Sequence, residues 1–228
     1  MQVVLDNWDL VVRAFTYTVL LFLIAGVLSL VFGTLLAAMR VGPIGVLVKA
    51  AAVYVTIVRN TPLLIVLIFF RIAGPKVGLQ FGFVDIVIGE IRINKLFAAC
   101  VVALTVYTSA FVCEALRSGV NAVPLGQAEA ARAIGLPFGG AMTQVILPQA
   151  FRASVPPLAS VQIALLKNTT LCGLFGVSEA FYRMKLFTND EPGQRIGIFL
   201  SFALIFVLLV EIVSFVANRL ERRWRVAA

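Results

Sequence analysis

Residues 14–39 read AFTYTVLLFLIAGVLSLVFGTLLAAM, a run without one charge, bounded by Arg13 and Arg40. About 20 apolar residues suffice to cross the hydrocarbon of a bilayer as a helix, so this stretch is a membrane span. The rest of the chain has a matching composition. Its 228 residues are 61% apolar and only 13% charged, with a mean hydropathy of +1.02. A soluble domain is roughly half apolar and about a quarter charged, and a chain this long still exposes about a quarter to a third of its surface. The excess carbon has no home in one core, and lipid is the solvent it suits.

Four further spans follow. One runs over about 50–72 and is interrupted by Arg59, Asn60, Thr61 and Pro62. A clean third covers about 96–115. The fourth, about 155–178, is broken by Lys167, Asn168, Thr169 and Thr170. The fifth, about 196–217, holds a single acid, Glu211. The segment 74–94 alternates Phe81, Phe83, Ile86 and Ile88 among glycines and charges, which predicts an interfacial or extended piece rather than a sixth span. The expected fold is all-α and polytopic: one domain over residues 1–228 with five transmembrane helices. An odd count puts the termini on opposite faces. Arg219, Arg222, Arg223 and Arg225 favour a cytoplasmic C-terminus, although basic residues summed over all loops nearly tie.

Absences narrow the function. The chain has no histidine, which removes imidazole bases and His-ligated metals. Cys100, Cys113 and Cys172 lie in apolar runs, against a thiolate metal site or disulfide frame, so neither a metal nor a catalytic residue is expected. The dipeptide Gly-Lys of a Walker A loop does not occur, so the chain supplies no ATP site of that kind. The net charge of +8 is scattered between apolar runs, as in lipid-facing flanks rather than a nucleic-acid footprint.

The longest hydrophilic connection, about 117–152, is organised. Gln127 to Ile134 is a run of helix formers with Glu129 expected in its first turn, where an acid suits the helix dipole. Gly135 stands where a left-handed stop belongs, and Pro137 where the next helix would place a first-turn proline. A second amphipathic stretch, Phe138 to Leu147, is expected to end at Pro148.

Glu129-Ala130-Ala131, three residues, Gly135, nine residues, then Val145, Ile146, Leu147 and Pro148 resembles the EAA loop of permease subunits in bacterial ABC importers. Arg59-Asn60-Thr61-Pro62-Leu63-Leu64 and Leu165-Leu166-Lys167-Asn168-Thr169-Thr170-Leu171 resemble segments of the polar-amino-acid branch, with Asn60 replacing the usual glycine and Asn168 the usual acid. The whole looks most like permeases of actinobacterial glutamate importers. That resemblance implies a coupling helix at Glu129, Ala130, Ala131, Arg132, Gly135, Leu136 and Pro137, docking on a cytoplasmic ABC ATPase dimer. It also implies a second permease subunit, in a heterodimer rather than a homodimer, and an extracytoplasmic substrate-binding protein. No cofactor belongs to this chain, ATP and Mg being used by the ATPase. The location implied is the plasma membrane, with the N-terminus outside and the C-terminus cytoplasmic.

Arg59 and Lys167 are the two cations inside apolar runs. Measured from Ala50 and Val155 at 1.5 Å per residue, they sit about 13 Å and about 18 Å along their spans. A cation at that depth faces protein or a water-filled cavity. One reading is a substrate pathway for a polar or anionic amino acid lined by Arg59, Asn60, Thr61, Lys167, Asn168, Thr169 and Thr170. The other is structural, with Arg59 capping carbonyls at the Pro62 break and Lys167 paired with a neighbouring span or with the dimer partner. Glu114 and Arg117, three apart, pair on one helix face. The alternative function is a subunit of a secondary transporter or channel driven by an ion gradient, for which broken spans are suited but the lack of an internal repeat is not.

Overall fold

The computed structural model describes residues 2–224, so Arg225 of the terminal basic cluster lies outside the described residues. A short helix α1 (Gln2–Asp6) precedes α2 (Trp8–Val41), the uninterrupted first span. The second apolar region is two helices, α3 (Gly45–Asn60) and α4 (Leu63–Ile68), the latter continued by tighter and wider turns to Val77. They meet at 102°. Pro62 forces this break: its own φ is −58° with ψ 136°, and Thr61 before it is extended at φ −97° and ψ 127°, as a residue preceding proline is driven to be. Strands β1 (Ile86–Ile88) and β2 (Ile91–Ile93) pair antiparallel across Gly89 and Glu90. Gly89 takes φ +59° there. Tyr17 of α2 fastens the hairpin, its hydroxyl accepting the Arg92 N–H at 2.8 Å.

Helix α5 (Lys95–Asn121) is the hub, with 61% of its most apolar stretch buried against 33% or less in the other continuous spans. Close approach explains this. A Cβ on Gly33 of α2 would stand 2.5 Å from Val112, and one on Gly119 would stand 1.9 Å from the Ser154 hydroxyl. Where lipid removes the hydrophobic drive between helices, such glycines let backbones meet and dispersion hold them. Around α5, Leu21, Leu67, Phe97, Leu104 and Leu165 form the main core.

The chain then makes α6 (Leu125–Ala133) and α7 (Phe138–Ala141), and passes through a π turn (Met142–Ile146) into α8 (Leu147–Asn168). The stop expected at Pro148 is absent. The wide turn, in which the Leu147 N–H reaches the Met142 carbonyl, relaxes the i−4 crowding that a proline ring otherwise creates. Pro156 and Pro157 also lie inside α8, leaving the Arg152 and Ala153 carbonyls without their usual helical donors. At Thr169 the helix tightens into a 3-10 stretch ending at Gly176, φ +88°. Then come α9 (Ala180–Asp190) and α10 (Arg195–Trp224). The fully buried Glu179 caps α9, accepting the Phe181 and Tyr182 N–H groups at 3.0 and 2.9 Å. Four long apolar helices and one bent pair make the five-span architecture.

Candidate functional site

Helix α6 begins at Leu125, because Pro124 supplies an extended cap with φ −57° and ψ 135°. Glu129 is therefore beyond the first turn, and the dipole role expected of it there does not hold. Its end is as expected. Gly135 has φ +85°, with Gly135 N–H donating to the Arg132 carbonyl at 2.9 Å and Leu136 N–H to the Ala131 carbonyl at 3.1 Å. This is the paired hydrogen-bond pattern of a Schellman stop. Pro137 lies one position earlier than expected, as the cap before Phe138. It thus ends the turn rather than opening the helix. Ala131 is buried against the loop while Glu129, Ala130, Arg132 and Ala133 are exposed. Leu125 is 82% and Ile134 77% exposed. Gln149 of α8 anchors the element through a 2.6 Å hydrogen bond to Gln127. The result is a short helix with a defined stop and an uncovered face.

The polar residues of the two broken apolar runs divide. Arg59 is about 21 Å along α3, because that helix starts at Gly45 rather than Ala50. It lies 3.6 Å from Glu114 of α5 and 5.7 Å over the Phe111 ring. Arg40 of α2 donates directly to the same carboxylate, and Arg117 reaches it at 3.3 Å. The Glu114–Arg117 pair was legible from spacing; the arrival of Arg40 and Arg59 was not. These four groups line a cavity of about 350 Å³ with Asn60 and Thr56. On the other side of Phe111 a cavity of about 270 Å³ is lined by Tyr107, Thr108, Ser160 and Asn168.

The other residues that the sequence points to do not converge there. Lys167 is exposed in the last turn of α8, about 30 Å from its start at Leu147, and no carboxylate among the described residues lies within ion-pair reach. The Thr61, Thr169 and Thr170 hydroxyls donate back to the carbonyls of Ile57, Leu166 and Lys167. Thr169 is buried. Thr170 borders a separate apolar cavity with Phe15 and Phe202.

Bent second span, central third helix and exposed two-helix loop together define a polytopic membrane subunit with a docking element outside the bilayer. The chain belongs to the family described as binding-protein-dependent transport system inner membrane component, which matches residues 29–226. It is thus a multi-pass inner membrane permease of the ABC class, without catalytic activity or cofactor of its own, and partner ATPase subunits hydrolyse the ATP. It is 38% identical over 196 residues to the glutamate transport system permease protein GluC of Corynebacterium glutamicum, covering 86% of each chain. It is 33% identical over 222 residues to the probable glutamine ABC transporter permease protein GlnM of Bacillus subtilis, covering 97% of this chain and 96% of that one. Among solved structures, an amino acid ABC transporter with histidines superposes with a TM-score of 0.84 at 26% identity, covering 97% of both chains.

Proposed function

We propose that this permease imports glutamate. Its likeness to the glutamate permease of Corynebacterium glutamicum supports the substrate, and the wider amino-acid importer likeness supports the class. The solute path runs beside Phe111, where Arg59 and Asn60 line one cavity and Asn168 the next. Their shared wall is the observation that carries this part of the reading. Lys167, exposed at the end of α8, extends the path where a second permease subunit, different from this one, packs. Thr61, Thr169 and Thr170 shape it from behind by fixing the backbone beside Asn60 and Asn168. An anion in a low-dielectric passage needs a cation or strong donors, since an unpaired buried charge costs several kcal/mol.

Glu129, Ala130, Arg132, Gly135, Leu136 and Pro137 form the surface that meets the ATPase dimer, with Ala131 packed beneath it. The exposed side of α6 and its fixed stop support that role. An extracytoplasmic binding protein delivers the solute, in keeping with the family's description. In this arrangement the N-terminus and segment 74–94 face outward, while the 117–152 loop and the C-terminus face the cytosol. Uptake by Arg59→Gln and Lys167→Met variants, with glutamate and glutamine compared, tests the path. A larger loss for glutamate supports it. Equal loss for both solutes, or none, removes the substrate role.

A further inference from the structure

Glu114 is one carboxylate facing three guanidinium groups, and it does not satisfy them equally. Arg40 donates to one oxygen and Arg117 to the other. Arg59 stands 3.6 Å from the oxygen that Arg117 already uses, beyond ordinary hydrogen-bond length. Among the described residues the Arg59 side chain donates no hydrogen bond, and the buried Arg117 Nε has no partner. Both residues line the same cavity of about 350 Å³, within the roughly 300–1,000 Å³ range of small-molecule sites. Three cations less one anion leave this wall at +2 with unused, forked donors. A guanidinium fork matches the two oxygens of a carboxylate better than any other common group.

We propose that this cavity is a carboxylate subsite for the amino acid in passage, with Arg59 and Arg117 as its grip and Glu114 as a resident competitor. Without solute, the Glu114 oxygen shared by the two arginines keeps them apart and partly neutralised. An arriving carboxylate takes the free donors of Arg59 and replaces Glu114 on the Arg117 guanidinium, while Arg40 retains Glu114. The competitor also limits how tightly the solute is held, so that it leaves. Asn60 adds a neutral amide on the same wall. The proposal rests on the chain being an amino-acid permease and adds Arg117 and Glu114 to the path.

The test is equilibrium binding of labelled glutamate to the whole transporter, nucleotide-free in lipid nanodiscs and without binding protein. Arg59→Gln is expected to weaken binding roughly tenfold or more, the usual consequence of losing a hydrogen bond to a charged group. Arg59→Lys, which keeps the charge and loses the fork, should fall between. Glu114→Gln, checked for assembly with the ATPase, should bind severalfold more tightly and turn over more slowly. Unchanged binding in Arg59→Gln overturns the subsite, and weaker binding in an assembled Glu114→Gln overturns the competitor role. A measurement on the unaltered protein stands beside these variants: the diamide of glutamate, lacking both carboxylates, should fail to displace the label, and equal displacement overturns the subsite. If glutamine binds and glutamate does not, the glutamate assignment falls on its own. The subsite is then judged by whether converting glutamine's remaining carboxylate to an amide abolishes binding.

Discussion

Replacing Gly135 by valine isolates a single physical effect. Its φ is +85° and nothing lies within 4 Å of the position a Cβ would take, so the new side chain meets no clash and incurs backbone strain alone. Holding a non-glycine residue in the left-handed region costs roughly 1–3 kcal/mol, with a β-branched side chain at the upper end. At about 1.4 kcal/mol per factor of ten, the equilibrium constant for the Schellman stop falls roughly 5- to 150-fold. A partner that docks only on that conformation loses apparent affinity by at most that factor, in proportion to the fall in the competent fraction. The assay is titration of the purified ATPase with permease in nanodiscs, reading stimulated hydrolysis. The midpoint should rise in Gly135→Val, by up to that factor, and move little in Gly135→Asn, since asparagine tolerates the left-handed region. Gly126→Ala, inside α6 with open space around it, is the control and should behave as the unaltered protein. A Gly135→Val midpoint equal to that of the control would refute the coupling role of this turn.

Three further outcomes are expected. Gly119→Ala would place its Cβ 1.9 Å from the Ser154 hydroxyl and 2.4 Å from the Ala150 carbonyl. Overpacking of this kind costs about 1–3 kcal/mol and should lower the melting temperature by about 2–10 °C; adding Ser154→Ala should restore only part, because the backbone contact remains, and full restoration would contradict the packing account. Burial pushes the Glu179 carboxyl up to about 8, above an unfolded value of about 4.3, so its contribution is complete below the unfolded value, declines as pH rises towards 8 and is level beyond. Glu179→Gln, neutral throughout but short of one cap acceptor, should be less stable at pH 5 yet lack that decline, and parallel melting curves from pH 5 to 9 would contradict the assignment. Single cysteines at Gln80 and Gly126, in a background lacking Cys100, Cys113 and Cys172, should be labelled by an impermeant thiol reagent in intact cells at Gln80 only; labelling at Gly126 would reverse the orientation.

What was legible in the sequence followed from one-dimensional signals. Apolar run length marked the spans, and glycine at position 135 between helix formers marked a left-handed stop that the backbone reproduces at φ +85°. The misreadings came from local rules applied without the third dimension. Pro148 reads as a terminator, yet a π turn just before it carries the helix through. Glu129 reads as a first-turn acid only if Pro124 is not counted as the cap. Arg59 sits about 21 Å rather than about 13 Å along its helix, because α3 starts at Gly45, five residues before Ala50. Its meeting with Arg40 and Glu114 joins residues 74 and 55 positions apart from the acid, and nothing in local spacing announces it. The signal available was modest: one acid near the end of an otherwise uncharged span requires a cation, and Arg40 closes the adjoining span. Glu179 was missed as well. It stands three residues after Gly176, where the 3-10 stretch ends and a cap for the following helix is due.

The central claim is that a separate ATPase drives solute through this chain by way of the α6 loop. Proteoliposomes containing the permease pair and its ATPase, supplied with binding protein and labelled glutamate outside, test it most directly when Mg-ATP is enclosed, omitted, or replaced by an imposed proton or sodium gradient. Accumulation should occur with enclosed Mg-ATP alone, should fall to background without nucleotide, and should be slowed in Gly135→Val. Accumulation that persists without the ATPase, driven by the ion gradient, would contradict the account and reinstate a secondary transporter.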